Sequence, residues 1–104
     1  MKLFRQGDVL IRQVAEVPSG TKEVPREAGK VVLAHGEVTG HSHAIASKHA
    51  RLVIQNPSLR RFLTAKKEVS LLHEEHSEIK LPAGVYEIII QREFSGEYSR
   101  KVAD

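Results

Sequence analysis

Val85 to Phe94 reads VYEIIIQREF, and this stretch decides the fold class. Its side chains alternate. Tyr86, Ile88, Ile90, Arg92 and Phe94 fall on one face of an extended chain, and Val85, Glu87, Ile89 and Gln91 on the other. Three consecutive isoleucines carry no helical period, and β-branched residues favour strands. Leu81-Pro82-Ala83-Gly84 stands immediately before it with the chemistry of a tight turn. The stretch is therefore a strand entered from a turn, and the rest of the chain repeats that plan.

Upstream, Glu68 to His73 (EVSLLH) alternates with Val69, Leu71 and His73 on one face. Leu59 to Thr64 (LRRFLT) fits one helical turn or a strand. A strand is expected, with Lys66-Lys67 at the tip of a hairpin. Arg51-Leu-Val-Ile-Gln55 is a compact apolar strand stopped by Asn56-Pro57-Ser58. Lys30 to His35 is another strand, followed by a turn over Gly36 to Gly40 and then His41 to Ser47. Gly7 to Val17 is a strand broken by Pro18-Ser19-Gly20, and Thr21 to Pro25 suits an edge or a loop. The polar tail from Ser95 reads as irregular or edge chain.

No helical period runs for long. About seven short strands with frequent turns predict an all-β fold, a small β-barrel or sandwich. The 104 residues fit a single domain, 1–104. Such a domain has a thin core, which closure into a barrel or pairing with a second copy would reinforce. Aromatics are few, so Val, Ile and Leu carry that core.

The chain has no cysteine, which excludes disulfides, thiolate zinc sites and a cysteine nucleophile. No run approaches the length of a membrane span, and the start MKLFRQGDVLIRQ lacks a signal-peptide pattern. A cytoplasmic protein without membrane partners is expected. No Gly-rich phosphate loop, serine nucleophile elbow or paired-carboxylate signature is present.

The net charge of +3 is unevenly spread. No acid lies between Glu37 and Glu68, a stretch holding Lys48, Arg51, Arg60, Arg61, Lys66 and Lys67. From Glu68 onward eight acids face four bases. Two strands pairing through complementary charge account for this, as does a basic face for nucleic acid or another anion. Phe62 is the only aromatic in the basic 48–67 stretch, which disfavours base stacking and nucleic acid.

The six histidines are His35, His41, His43, His49, His73 and His76. His41 and His43 are two apart, so an extended chain sends both rings to one face. His73 and His76 are three apart, which suits a strand end or a bend. Together the two pairs are candidate ligands for one divalent transition metal: zinc, iron, nickel or manganese. Without a metal, facing histidines serve as an acid–base pair or a pH-sensitive surface. His35 and His49 read as surface residues. Glu74, Glu75 and Glu78 flank the second pair, where one of them is a candidate ligand or a support for a histidine tautomer. Gly36 and Gly40 let the backbone bend ahead of His41, or form a plain hairpin.

Gly36, Gly40, His41 and His43, followed by Pro82 and Gly84, resemble the cupin superfamily. The resemblance implies a jelly-roll barrel whose first motif gives two histidines and a glutamate to a metal, and whose second motif adds a histidine. His41 and His43 match the paired histidines. Ser47 and Lys48 stand where the glutamate is expected, and Glu87 stands in place of the last histidine.

Three functions follow as expectations. The first is a metal-binding β-domain, enzymatic or not, in which Arg51, Arg60 or Arg61 holds a small anionic substrate. The second is a module that docks on a protein partner or forms a homodimer. The third, a nucleic-acid-binding module, is less favoured.

Overall fold

A computed structural model describes residues 2–36 and 40–91. Among these, ten strands form and no α-helix does. They are β1 (Leu3–Gln6), β2 (Val9–Val14), β3 (Thr21–Glu23), β4 (Val31–His35), β5 (Ser42–Ile45), β6 (Ala50–Gln55), β7 (Arg60–Ala65), β8 (Val69–Leu71), β9 (Ile79–Leu81) and β10 (Gly84–Ile90).

One layer is a six-stranded antiparallel sheet in the order β1-β2-β10-β7-β6-β3. The other consists of two ribbons, β4–β5 and β8–β9. Leu72 joins them by exchanging two backbone hydrogen bonds with Ala44, at 3.0 and 2.9 Å. Among the described residues the sheets do not close into a barrel. Of the two architectures expected, the domain is sandwich-like.

Period-2 alternation explains why the layers meet. β10 sends Tyr86 and Ile88 inward, in register with Leu63 and Arg61 of β7. Tyr86, Ile88 and Leu63 meet Leu33, Ile45, Leu71 and Leu81 from the ribbons in one core cluster. Each fully buried Leu or Ile contributes roughly 1.5–3 kcal/mol relative to exposure. The Tyr86 hydroxyl donates to the Pro82 carbonyl at 2.6 Å and ties down the turn that starts β10. The opposite face of the sheet carries Glu87, in register with Arg12 and Phe62.

Several local expectations are corrected. The stretch Gly7–Val17 is not one strand, because Gly7-Asp8 forms the β1–β2 hairpin turn, with Gly7 at φ 61°. Lys66-Lys67 is not a hairpin tip. β7 pairs with β6 and β10, so these lysines carry the chain from the sheet to the ribbon layer. Leu59–Thr64 resolves as strand, with β7 starting at Arg60. The expected turn at 37–39 and the expected strand end at 92–94 lie outside the described residues, as does the tail.

Candidate functional site

The four histidines singled out by their spacing come together at one corner. β5 brings His43, with His41 just before its first residue. His73 and His76 lie in the connection between β8 and β9, which the Ala44–Leu72 exchange holds against β5. Ring centroids of His43 and His73 are 4.3 Å apart, and those of His73 and His76 are 4.6 Å apart. His41 meets His73 edge-on at 5.5 Å, and His43 stacks near His76 at 5.9 Å. His35 and His49 do not join these ring contacts. His35 is exposed and lies 3.1 Å from Glu27.

His43 is fixed most firmly. It is 2% exposed, and its Nδ1 lies 2.8 Å from Gln6 Oε1. The Gln6 amide nitrogen donates to the carbonyls of Leu71 and Ser77, each at 3.0 Å. That leaves Oε1 as acceptor, so His43 Nδ1 carries a proton. Its Nε2 faces Asp8 Oδ1 at 3.8 Å. A ring held at Nδ1 by a buried partner presents Nε2 in a fixed direction, as metal-ligating histidines do.

His73 is set the other way. Its Nδ1 accepts the backbone N–H of Glu75 at 3.0 Å and that of His76 at 3.3 Å. When neutral it therefore carries its proton on Nε2. That Nε2 lies only 3.2 Å from where a side chain on Gly36 would start, and His41 Cβ lies 3.0 Å from the same point. Gly36 is needed here for lack of room. Its N–H also donates to His41 O at 2.8 Å, tying the end of β4 to the residue that precedes β5. Across the corner, a side chain on Gly7 would meet His76 Nε2 at 2.7 Å.

Glu74 completes the arrangement. Its Oε1 accepts the Ser42 N–H at 2.9 Å, at the head of β5. That bond, its own backbone N–H, and the nearby His41 and His73 hold the carboxyl below its ordinary range. One donor atom from each of His41, His73 and Glu74 lies within 4.8 Å of the others. A tetrahedral zinc ion spaces its nitrogen and oxygen donors by about 3.4 Å, so these groups must close by roughly an ångström to share one ion.

The three arginines named from the sequence lie elsewhere. Arg51 is exposed and 3.5 Å from Glu23. Arg60 grips Glu87 through Nε and Nη2 at 2.9 and 3.0 Å, and Arg12 Nη2 donates to the same carboxylate at 2.6 Å. The Arg60 hydrogen bonds, reinforced by Arg12, hold the Glu87 carboxyl below its ordinary range against the effect of burial. Glu87 is thus engaged by two guanidiniums instead of joining the histidine corner. Arg61 lies on the inner face of β7 and lines a cleft together with Arg60.

Sequence reading missed Gln6 and Asp8. Gln6 reaches His43 across 37 residues and Leu71 across 65, so no local spacing announces it. The turn-forming Gly7-Asp8 pair was the available signal.

No curated protein and no solved structure matches this chain. One family does match, over residues 5–91, and its description is "Domain of unknown function (DUF8820)".

Proposed function

This chain belongs to the DUF8820 family, and we propose that it is a β-domain that binds one divalent transition metal at the histidine corner. The observation that carries this reading is the convergence of four imidazoles from two chain segments, with a carboxylate beside them. His41, His73 and Glu74 are the nearest donor set. His43, oriented by Gln6, packs its ring against His73 on the buried side, with Nε2 facing Asp8 Oδ1 at 3.8 Å.

Imidazole and carboxylate donors suit zinc, iron(II), nickel and manganese. For His73 to ligate through Nε2, its proton must move to Nδ1, and the bonds from Glu75 and His76 must open. Metal binding is therefore coupled to rearrangement of the 73–76 turn, where Glu74, Glu75 and His76 are exposed and have room to move. Three protein donors, His41, His73 and Glu74, would leave the fourth position of a tetrahedral ion for water or a small anionic substrate, and the ion would supply Lewis acidity there.

The test is titration of metal-free, untagged protein with zinc, iron(II), nickel and manganese, followed by imidazole 15N signals. One saturable equivalent, with the His73 Nδ1 and Nε2 signals exchanging character, is expected. No saturable binding of any of the four ions contradicts the proposal.

A further inference from the structure

A cleft of about 760 Å³ runs around the start of β7, from Arg61 and Ile88 on the inner face of the sheet, opposite Leu33 of β4, to Arg60 and Glu87 on the outer face. Its apolar walls include Ile54, Ile88 and Ile90 from the sheet and Leu33 from β4. Its charged groups include Arg60, Arg61 and Glu87, and the His35–Glu27 pair. That volume lies in the range of small-molecule sites, which are mostly apolar with a few convergent polar groups.

Three separate observations bear on what would occupy it. The first is Arg61. It faces inward on β7, in register with Ile54 and Ile88, at a position the core pattern would give to an aliphatic residue. The second is Arg60. Glu87 holds its guanidinium side-on through two hydrogen bonds, and Phe62 lies 5.2 Å beneath it. Two of its five N–H donors are spent on Glu87, and its side chain is still 51% exposed. Because Arg12 shares the same carboxylate, two positive charges face one negative, and the group keeps a net positive charge.

The third observation is Leu59, which stands in left-handed backbone at φ 64° and is 63% exposed at the cleft wall. That conformation is rare for a bulky side chain, and strain of this kind collects at ligand sites.

We propose that this cleft binds a small organic anion with an apolar body. Its carboxylate or phosphate head lies at the start of β7, where Arg60 reaches it from the outer face and Arg61 from the inner face, and its body lies against Ile54, Ile88, Ile90 and Leu59. Glu87 is a positioning residue that fixes the Arg60 plane. None of the four clustered histidines lines the cleft, so the proposal stands independently of the metal reading.

The test uses the full metal-free chain, labelled with 15N and titrated with phenyl phosphate, hexanoate and inorganic phosphate. Saturable shifts at Leu59–Arg61 and Ile88–Ile90 are expected. The two amphiphiles should bind roughly tenfold tighter than inorganic phosphate, because burial of their apolar parts adds to the shared charge contact. Arg60→Gln and Arg61→Gln should each weaken phenyl phosphate by roughly tenfold, and Arg51→Gln should leave it unchanged. A thermal melt of each variant confirms folding, and the two substitutions on opposite faces of β7 keep the test open if one unfolds. Absence of saturable shifts, shifts that map elsewhere, or equal affinity for inorganic phosphate overturns the proposal.

Discussion

At the histidine corner one ring of four is locked. His43 is buried and held by Gln6, while His73 and His76 sit on a partly exposed connection and His73 spends its acceptor nitrogen on local backbone. On the outer face of the sheet the polar groups satisfy one another directly. Glu87 takes three hydrogen bonds from two arginines without any ligand. The donors of His41, His73 and Glu74 lie up to 4.8 Å apart, whereas in the Arg12–Glu87–Arg60 triad the Glu87 carboxylate is saturated by its neighbours and only outer donors of Arg60 and Arg12 are left over. A carboxylate whose acceptors are filled by its neighbours reads first as structure, and a cluster that is half buried and half exposed reads first as a binding site.

The sharpest way to break this contrast is Gln6→Leu. It removes the partner of His43 Nδ1 and the donors to Leu71 and Ser77 at a residue only 2% exposed. Chemical denaturation should show a loss of about 2–3 kcal/mol, since buried groups are left unpaired. Gly36→Ala should act on binding instead. With His41 Cβ and His73 Nε2 within 3.2 Å of the added carbon, zinc affinity should fall by roughly tenfold in a calorimetric titration.

The triad should respond to pH. A carboxyl held low in the folded state takes up its proton less readily there than when unfolded. Its stabilisation is therefore present above the ordinary carboxylate range and is lost as pH falls through the lowered folded value. Glu87→Gln should cost about 1 kcal/mol at neutral pH, because the half-exposed arginines are screened. Its stability curve should be flatter than that of the parent below the ordinary carboxylate range. The smallest effect belongs to Arg51→Gln. Arg51 and Glu23 are more than half exposed, so melting should move by less than about 0.5 kcal/mol equivalent.

Much of the fold was legible because period-2 alternation is a local signal. β10, β6 and β4 follow directly from VYEIII, ARLVIQ and VVLAH. β1 and β9 were not, since Leu3–Gln6 and Ile79–Leu81 are too short to establish a period and are strands by virtue of what they pair with. The expectation that a basic stretch pairs with an acidic one holds at one point, where Arg60 of β7 meets Glu87 of its neighbour β10. The grouping of His41, His43, His73 and His76 was legible from spacing, whereas Glu74 was only one of three flanking acids, with Glu75 and Glu78, that spacing could not tell apart. Gln6 was hidden because its partners are far away in sequence. The grouping of Arg51, Arg60 and Arg61 separated because adjacent strand positions point to opposite faces and Arg51 lies farther along the next strand.

The most direct test of the central claim is elemental analysis of untagged protein beside a His41→Ala/His43→Ala variant that is shown to be folded by its melting transition. About one equivalent of a transition metal is expected in the parent, from purification or after loading, and its loss in the variant. Equal metal content in the two, or none in either after loading with zinc, iron(II), nickel and manganese, would contradict it.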